Sequence, residues 1–174
     1  MYKGKVFVIK TGGGAFRDGA TMRSFMEQVA ILHHLGIRVV LVHGGGPQLD
    51  QVSTKLGVKT QMVQGRRVTD AGAIDVASMV LNGLINTRLL GLCREFGIAA
   101  IGVSGVDGGL VKAHKRAPVT LASGERYERV TVLDDDGADV PAQAGGPLGG
   151  QKGHLHEVFV PGRTFVFGGR HWVT

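Results

Sequence analysis

The chain is 174 residues long and 43% hydrophobic, the size of one domain with enough apolar surface for a core, and its 29 glycines lack the strict period of collagen. A formal charge of +6 suits acidic partners, but Lys and Arg are scattered, aromatics are only 6%, and no zinc-finger spacing or RNA-binding aromatic motif occurs, so small anions fit better than nucleic acid. The lone Cys93 excludes a disulfide within the chain, which fits a reducing cytoplasm, and it reads as a small buried apolar residue.

The first ten residues hold a short apolar run that ends directly in Thr-Gly-Gly-Gly, without the longer hydrophobic region of a signal peptide. No later run approaches the roughly 18 apolar residues of a membrane span, so a soluble protein without a membrane partner is expected. Val6 to Ile9 predicts a buried strand. Thr21 to Leu35 predicts a helix with Met22, Phe25, Met26, Val29 and Leu32 on its apolar face, Thr21 as cap and Gly36 as stop. Arg38 to Val42 predicts a second buried strand, giving a βαβ unit and hence a parallel sheet. After Gly44, Gly45 and Gly46, Pro47 opens a helix with Leu49, Val52 and Leu56 at helical spacing and Gly57 as its stop. A long helical stretch from Thr69 or Asp70 toward Phe96 bends around Asn82 and Gly83, and Ile98 to Val103 is another short strand. Beyond Pro118 the pattern changes. Val119 to Leu133 reads as a hairpin turning at Ser123 and Gly124, Asp134 to Gly153 as loop, and His156 to Phe167 as a second hairpin around Pro161 and Gly162.

Three times an apolar strand runs into a glycine cluster, at Val6 to Gly14, Val39 to Gly46 and Ala99 to Gly109. Glycines after a strand let backbone N–H groups approach an anion, and a following helix adds the positive end of its dipole. In open α/β sheets ligands bind beyond the carboxyl ends of the strands, so these clusters are expected to line one crevice for a phosphate-bearing or carboxylate ligand.

Lys10, just before Gly12, Gly13 and Gly14, can reach phosphate oxygens held by that loop, or can be a solvated strand-end lysine. The pattern is neither a Walker loop, whose lysine follows the glycines, nor a dinucleotide fingerprint, since Arg17 stands where the last glycine should be. Arg66 or Arg67 can hold a carboxylate through a two-pronged hydrogen bond, or belong to a solvated basic patch. His43 reads as structural, Asn86 as a helix-surface amide able to donate to a ligand, and Asp107 as a turn residue. Asp134, Asp135 and Asp136 cannot all face one ion, so they read as an exposed loop and no metal-ligating site is expected.

Taken in order, VIKTGGG, LVHGGGPQLD, GRRVTD, NGLINTRLL and GVSGVDGGLV resemble the N-terminal half of the acetylglutamate kinases, within the amino-acid kinase family. The pairing of HGGGP with a later G-x-R-V-T-D is the specific part. The resemblance implies a three-layer αβα sandwich with a mainly parallel sheet. Residues 1–120 would be the acyl-amino-acid-binding lobe and 121–174 a hairpin and loop tail, truncated before the ATP-binding lobe. It further implies Lys10 as the lysine stabilising the transferring phosphoryl group, and Gly12 and Gly13 along the phosphate path. Gly45 and Gly46 would be substrate-binding backbone and Arg67 the anchor for the substrate carboxylate. ATP and Mg²⁺ are the implied cofactors, N-acetyl-L-glutamate the implied substrate, arginine biosynthesis in the cytoplasm the implied setting, and pairing through this lobe the implied assembly.

The sequence departs from that pattern where Arg66 takes a usually apolar position and Thr87 one that is usually lysine. From about Arg129 the motif likeness lapses, as though replaced or out-of-frame sequence followed. Two other functions stay open: a non-catalytic acyl-amino-acid-binding or regulatory module, and a sister kinase acting on acetylaminoadipate.

Overall fold

Two successive units of apolar strand, glycine turn and amphipathic helix open the chain, and in the computed structural model both form. The structure describes residues 2–59, 61–63, 66–68, 70–120, 122–124, 126–132 and 164–168. In chain order these give β1 (Val6–Thr11), a 3-10 turn (Gly13–Phe16), α1 (Gly19–His34), β2 (Arg38–His43), α2 (Gly46–Lys55), β3 (Gln61–Val63) and β4 (Arg66–Val68). There follow α3 (Ala71–Ser78), a π-helical segment (Met79–Ile85), α4 (Asn86–Glu95), β5 (Ala100–Val103), β6 (Ala113–Thr120), β7 (Arg126–Val132) and β8 (Thr164–Gly168). The residues up to Ser104 together with β8 form one compact unit, and the described residues from Gly105 to Val132 belong to a second.

The first unit is built on a parallel sheet in the order β1-β2-β8-β5. Its register sets Phe7 beside Val39 and Ile9 beside Leu41, so these four side chains share one face. That face packs with Met22, Met26 and Val29 of α1, Leu49 of α2, Val76 of α3, Val80, Leu81 and Ile85 of the π segment, and Leu89 and Cys93 of α4. Each such side chain, when fully buried, contributes about 1.5–3 kcal/mol, so this cluster dominates the stability of the unit. The Cys93 thiol is pushed up to about 11 by burial and behaves as the apolar residue expected of it. On the opposite face of β1, Val8 is 54% exposed, beside Val6 and Lys10.

The helix ends follow from local chemistry. Asp18, not Thr21, caps α1: its carboxylate accepts the Thr21 N–H at 2.8 Å and the Thr21 hydroxyl at 3.0 Å, using both groups of the residue expected to cap. Asp70 caps α3 by accepting the Ala73 N–H at 2.8 Å. Gly36, Gly57 and Gly97 adopt φ of 78°, 69° and 70° and close α1, α2 and α4. Each closure is a paired set of backbone bonds, such as Gly36 N to His33 O and Ile37 N to Leu32 O. Arg23 of α1 grips Glu95 of α4 with two bonds of 2.6 and 2.7 Å and lies 5.0 Å from the Phe96 ring centroid.

The long helix changes character where expected, at Asn82 and Gly83, which fall in the π-helical segment. Its 71–95 span is also long and apolar enough to cross a membrane, contrary to the expectation that no segment would be. Val76, Ala77, Val80, Leu81, Ile85 and Leu89, which supply that hydropathy, lie in the core. The β3–β4 hairpin was not foreseen, being too short to show periodicity. In the second unit, β6 and β7 form the expected antiparallel hairpin around Ser123 and Gly124. It begins earlier than predicted and slips register between Arg116 and Val119, where Pro118 has no N–H to give the ladder.

The predicted hairpin at His156 to Phe167 is corrected. Thr164 to Gly168 instead lies parallel between β2 and β5, because a β-branched and aromatic run of this length suits a central strand as well as a hairpin arm. Residues 156–163 and the Asp134 to Gly153 loop lie outside the described residues.

Two predictions follow from the helix ends. Gly57→Ala, with open space around its Cβ position but φ of 69°, should cost about 1 kcal/mol in urea unfolding, from backbone strain alone. Hydrogen bonds from Thr21 hold the Asp18 carboxyl below its usual value of 3.8, so its stabilising contribution is present above that pH and fades as pH falls through the lower folded value. Asp18→Asn should therefore flatten the loss of stability below pH 3.8, read as melting temperature against pH.

Candidate functional site

Parallel pairing of β1 and β2, with Thr11 opposite His43, delivers their carboxyl ends side by side. The loops beyond them touch through backbone. Gly44 N–H donates to Thr11 O at 2.9 Å. A Cβ on Gly13 would come within 3.0 Å of Gly45 Cα, 2.9 Å of Pro47 and 2.7 Å of Gln48 Oε1. A Cβ on Gly45 would come 2.5 Å from Ile85 Cδ1 and 2.7 Å from Leu81 Cδ2. Gly13 and Gly45 are thus required by packing. Gly12, Gly14 and Gly46 are different, for nothing lies within 4 Å of their Cβ positions. They leave bare backbone facing open space, the form of a cradle for an anion.

Gln48, in the first turn of α2, ties the loops further. Its Nε2 donates to Gly13 O at 2.9 Å and to Phe16 O at 2.8 Å. The N-terminus of α2 has no side-chain cap, so its first-turn N–H groups and dipole favour an anion at this end. Lys10 is exposed at the end of β1, two residues before Gly12. In the β1–β2 register it stands opposite Val42, two residues before Gly44.

His43 is 1% exposed and its ring sits 6.1 Å from that of Phe16. Its Nδ1 lies 3.3 Å from Gly44 O, and since a carbonyl only accepts, Nδ1 carries the proton. Burial lowers its pKa, so the ring is neutral near pH 7, as a structural histidine should be.

Asn86 differs from its expected place on the helix surface. It is 8% exposed, and its amide occupies the space where a Cβ of Gly102 would stand. Its Oδ1 has no hydrogen-bond partner among the described residues, nor do Asn82 Oδ1, Gln48 Oε1 and His43 Nε2. Gly102, on β5, was the signal that sequence reading passed over. Beyond the first loop, a cavity of about 270 Å³ is lined by Phe16, Arg17, Asp18, Gly19, Met22 and Arg88. There the Arg17 charge helps to lower the Asp18 pKa.

Arg66 and Arg67 lie in β4, where Arg67 pairs with Met62, and their side chains are outside the described residues. Of the third glycine cluster, Asp107 to Gly109 form a 3-10 turn in the second unit, as expected of a turn residue, with φ of 61° and 68° at Gly108 and Gly109. Asp134, Asp135 and Asp136 lie outside the described residues. Among those described, no group of three His, Cys, Asp or Glu residues is placed to hold a metal ion.

The family model described as the amino acid kinase family matches residues 5–160. The chain belongs to the amino acid kinase family. An acetylglutamate kinase of Myxococcus xanthus is 47% identical over 121 residues, covering 70% of this chain and 39% of that protein. An acetylglutamate kinase of Erythrobacter litoralis is 38% identical over 172 residues, covering 90% of this chain and 58% of that protein. The chain therefore spans roughly two fifths to three fifths of these relatives. The likeness also runs past Arg129, contrary to the expectation that it lapses there. Among solved structures, N-acetylglutamate synthase from Neisseria gonorrhoeae, complexed with coenzyme A and N-acetyl-glutamate, superposes with a TM-score of 0.55 at 23% identity. That match covers 71% of this chain and 27% of the synthase, and it supports the fold: mixed α/β with a parallel sheet, as expected.

The two kinds of glycine should separate on mutation. Gly45→Ala should lower stability by about 1–3 kcal/mol through overpacking against Leu81 and Ile85. Gly46→Ala, facing open space, should change it by less than about 0.5 kcal/mol, both read by denaturant unfolding.

Proposed function

We propose that this chain carries the acyl-amino-acid site of an acetylglutamate kinase, a lobe that takes part in ATP-dependent phosphorylation of the side-chain carboxylate of N-acetyl-L-glutamate in arginine biosynthesis. The observation that carries the reading is the backbone contact between the loops after β1 and β2, beside Lys10, in a chain 47% identical to an acetylglutamate kinase over 121 residues.

The chemistry suits such a site. A carboxylate is already anionic near pH 7, so its oxygen attacks the γ-phosphorus without a strong general base, forming an acyl phosphate as the bond to ADP breaks. The demand is for charge compensation while negative charge spreads over the phosphoryl oxygens. In this reading the Lys10 ammonium and the backbone at Gly12 and Gly13 meet those oxygens. Gly45, Gly46 and the uncapped end of α2 receive the acyl amino acid, whose α-carboxylate pairs with Arg67. The open spaces at Gly12 and Gly46 are compatible with anionic groups approaching to backbone distance. Mg²⁺, when bound with ATP, would draw charge from the phosphate oxygens. A cytoplasmic setting and pairing through this lobe belong to the same reading.

Calorimetry with N-acetyl-L-glutamate tests it. Binding by the chain is expected, and Arg67→Ala should weaken it by about 10-fold to 100-fold, the worth of a charged hydrogen-bonded pair. Lys10→Ala should leave that affinity within about threefold and, where a second polypeptide supplies the ATP-binding lobe, lower coupled ADP release by about 100-fold or more. Absence of N-acetyl-L-glutamate binding, or preference for acetylaminoadipate, would overturn the assignment of substrate. Binding of N-acetyl-L-glutamate with no binding of ATP would favour a non-catalytic acyl-amino-acid module.

A further inference from the structure

The role of Gln48 goes beyond joining two loops. Its side-chain amide has two N–H donors on one end and a single acceptor on the other, and two backbone carbonyls, Gly13 O and Phe16 O, lie 2.9 and 2.8 Å from Nε2. Only the NH₂ end can satisfy both, which fixes the orientation of the amide. Oε1 then falls 2.7 Å from the position a Gly13 Cβ would take, so Gly13 must be glycine for Gln48 to sit there. The two carbonyls stand at the ends of the 3-10 turn Gly13–Phe16. Drawing both onto α2 sets the rotation of the whole turn.

That rotation has a consequence for the other side of the backbone. In a trans peptide the N–H points opposite the C=O of the same unit, and no peptide here is cis. The Gly13 carbonyl faces Gln48, so the Gly14 N–H of the same unit faces away from it. Gly14 is exposed, and nothing lies within 4 Å of its Cβ position.

We propose that Gln48 is a positioning residue that turns the Gly13–Gly14 peptide so that the Gly14 N–H points out of the first glycine loop as a donor to a phosphoryl oxygen. The placement of the phosphoryl group rests on the functional reading above, whereas the orientation of the peptide rests on the two hydrogen bonds alone. Gly14 thereby joins Lys10, Gly12 and Gly13 as an anion-binding position, and its bare Cβ position leaves the approach to its N–H clear.

The experiment uses the whole chain, with inorganic phosphate and N-acetyl-L-glutamate as separate probes. In Gln48→Met, which keeps length and loses both donors, amide exchange at residues 13–17 without ligand should rise about tenfold, the loss of two modest hydrogen bonds. Gln48→Glu, which turns carboxylate oxygens on the two carbonyls, should raise it further. Equal exchange in wild type and Gln48→Met would overturn the clamp whatever the protein binds. With Gln48→Met, affinity for phosphate should fall about tenfold while N-acetyl-L-glutamate affinity stays within about threefold. Equal weakening of both would reduce Gln48 to a structural residue and overturn the proposal. Should the Gln48 variants fail to fold, titration of the ¹⁵N-labelled wild type with phosphate decides it: the Gly14 amide should shift, and an unmoved Gly14 resonance overturns its role. Failure of the wild type to bind N-acetyl-L-glutamate would count against the functional reading alone.

Discussion

The arrangement of the first unit depends on a contact between two backbones. Adjacent parallel strands lie about 4.8 Å apart, so the chain leaving each at its carboxyl end emerges close to its neighbour. Here the two exits stay in contact, with Gly44 bonded to Thr11 O and no side chain to separate Gly13 from Gly45. A methyl group at either position would meet atoms at 3.0 Å or closer, so the constraint acts on both loops at once.

Behind this contact stands the helix from Ala71 to Glu95. Leu81 and Ile85 of its π-helical turn press on Gly45, and Asn86, the next residue, fills the space above Gly102. The wider turn leaves Asn82 and Asn86 with buried carbonyl oxygens that have no partner among the described residues. An interior acceptor without a donor costs about 1–3 kcal/mol, so such groups persist where surrounding packing fixes the helix in place. The large apolar cluster of α1, α2 and the sheet face supplies that packing, and the Arg23 grip on Glu95 holds α4 against α1 at its far end.

Much of this was legible in the sequence because it was written in local chemistry. The strand and helix alternation up to Val103, the glycine stops at Gly36 and Gly57 and the break at Asn82 and Gly83 each have a short-range cause. What escaped was long-range or ambiguous at short range. Asp18 and Thr21 are both good caps, and only geometry shows which accepts. The Thr164 to Gly168 run is apolar enough for either a hairpin or a central strand, and its neighbours β2 and β5 are far away in sequence. Asn86 was read as a surface amide because nothing near it in sequence announces Gly102. Of the three glycine clusters expected to line one crevice, the first two meet through backbone; the clamp on them was not legible, since Gln48 acts on residues 35 and 32 positions away.

The buried histidine sharpens the chemistry that the site can perform. His43 ends β2, opposite Thr11 and next to the Gly44 that bonds the first loop. Yet its Nδ1 proton is committed to Gly44 O, its ring is packed against Phe16, and burial lowers its pKa. A neutral, enclosed imidazole neither adds positive charge at the strand ends nor reaches solvent to exchange a proton. Among the described residues, Lys10 and the amide ends of the backbone bring positive charge and dipoles to these strand ends. In the proposed reaction such a field suits transfer to a nucleophile that is already ionised, and it would serve poorly for a hydroxyl that must first lose its proton. Within the function proposed above, a carboxylate is the acceptor that such strand ends suit.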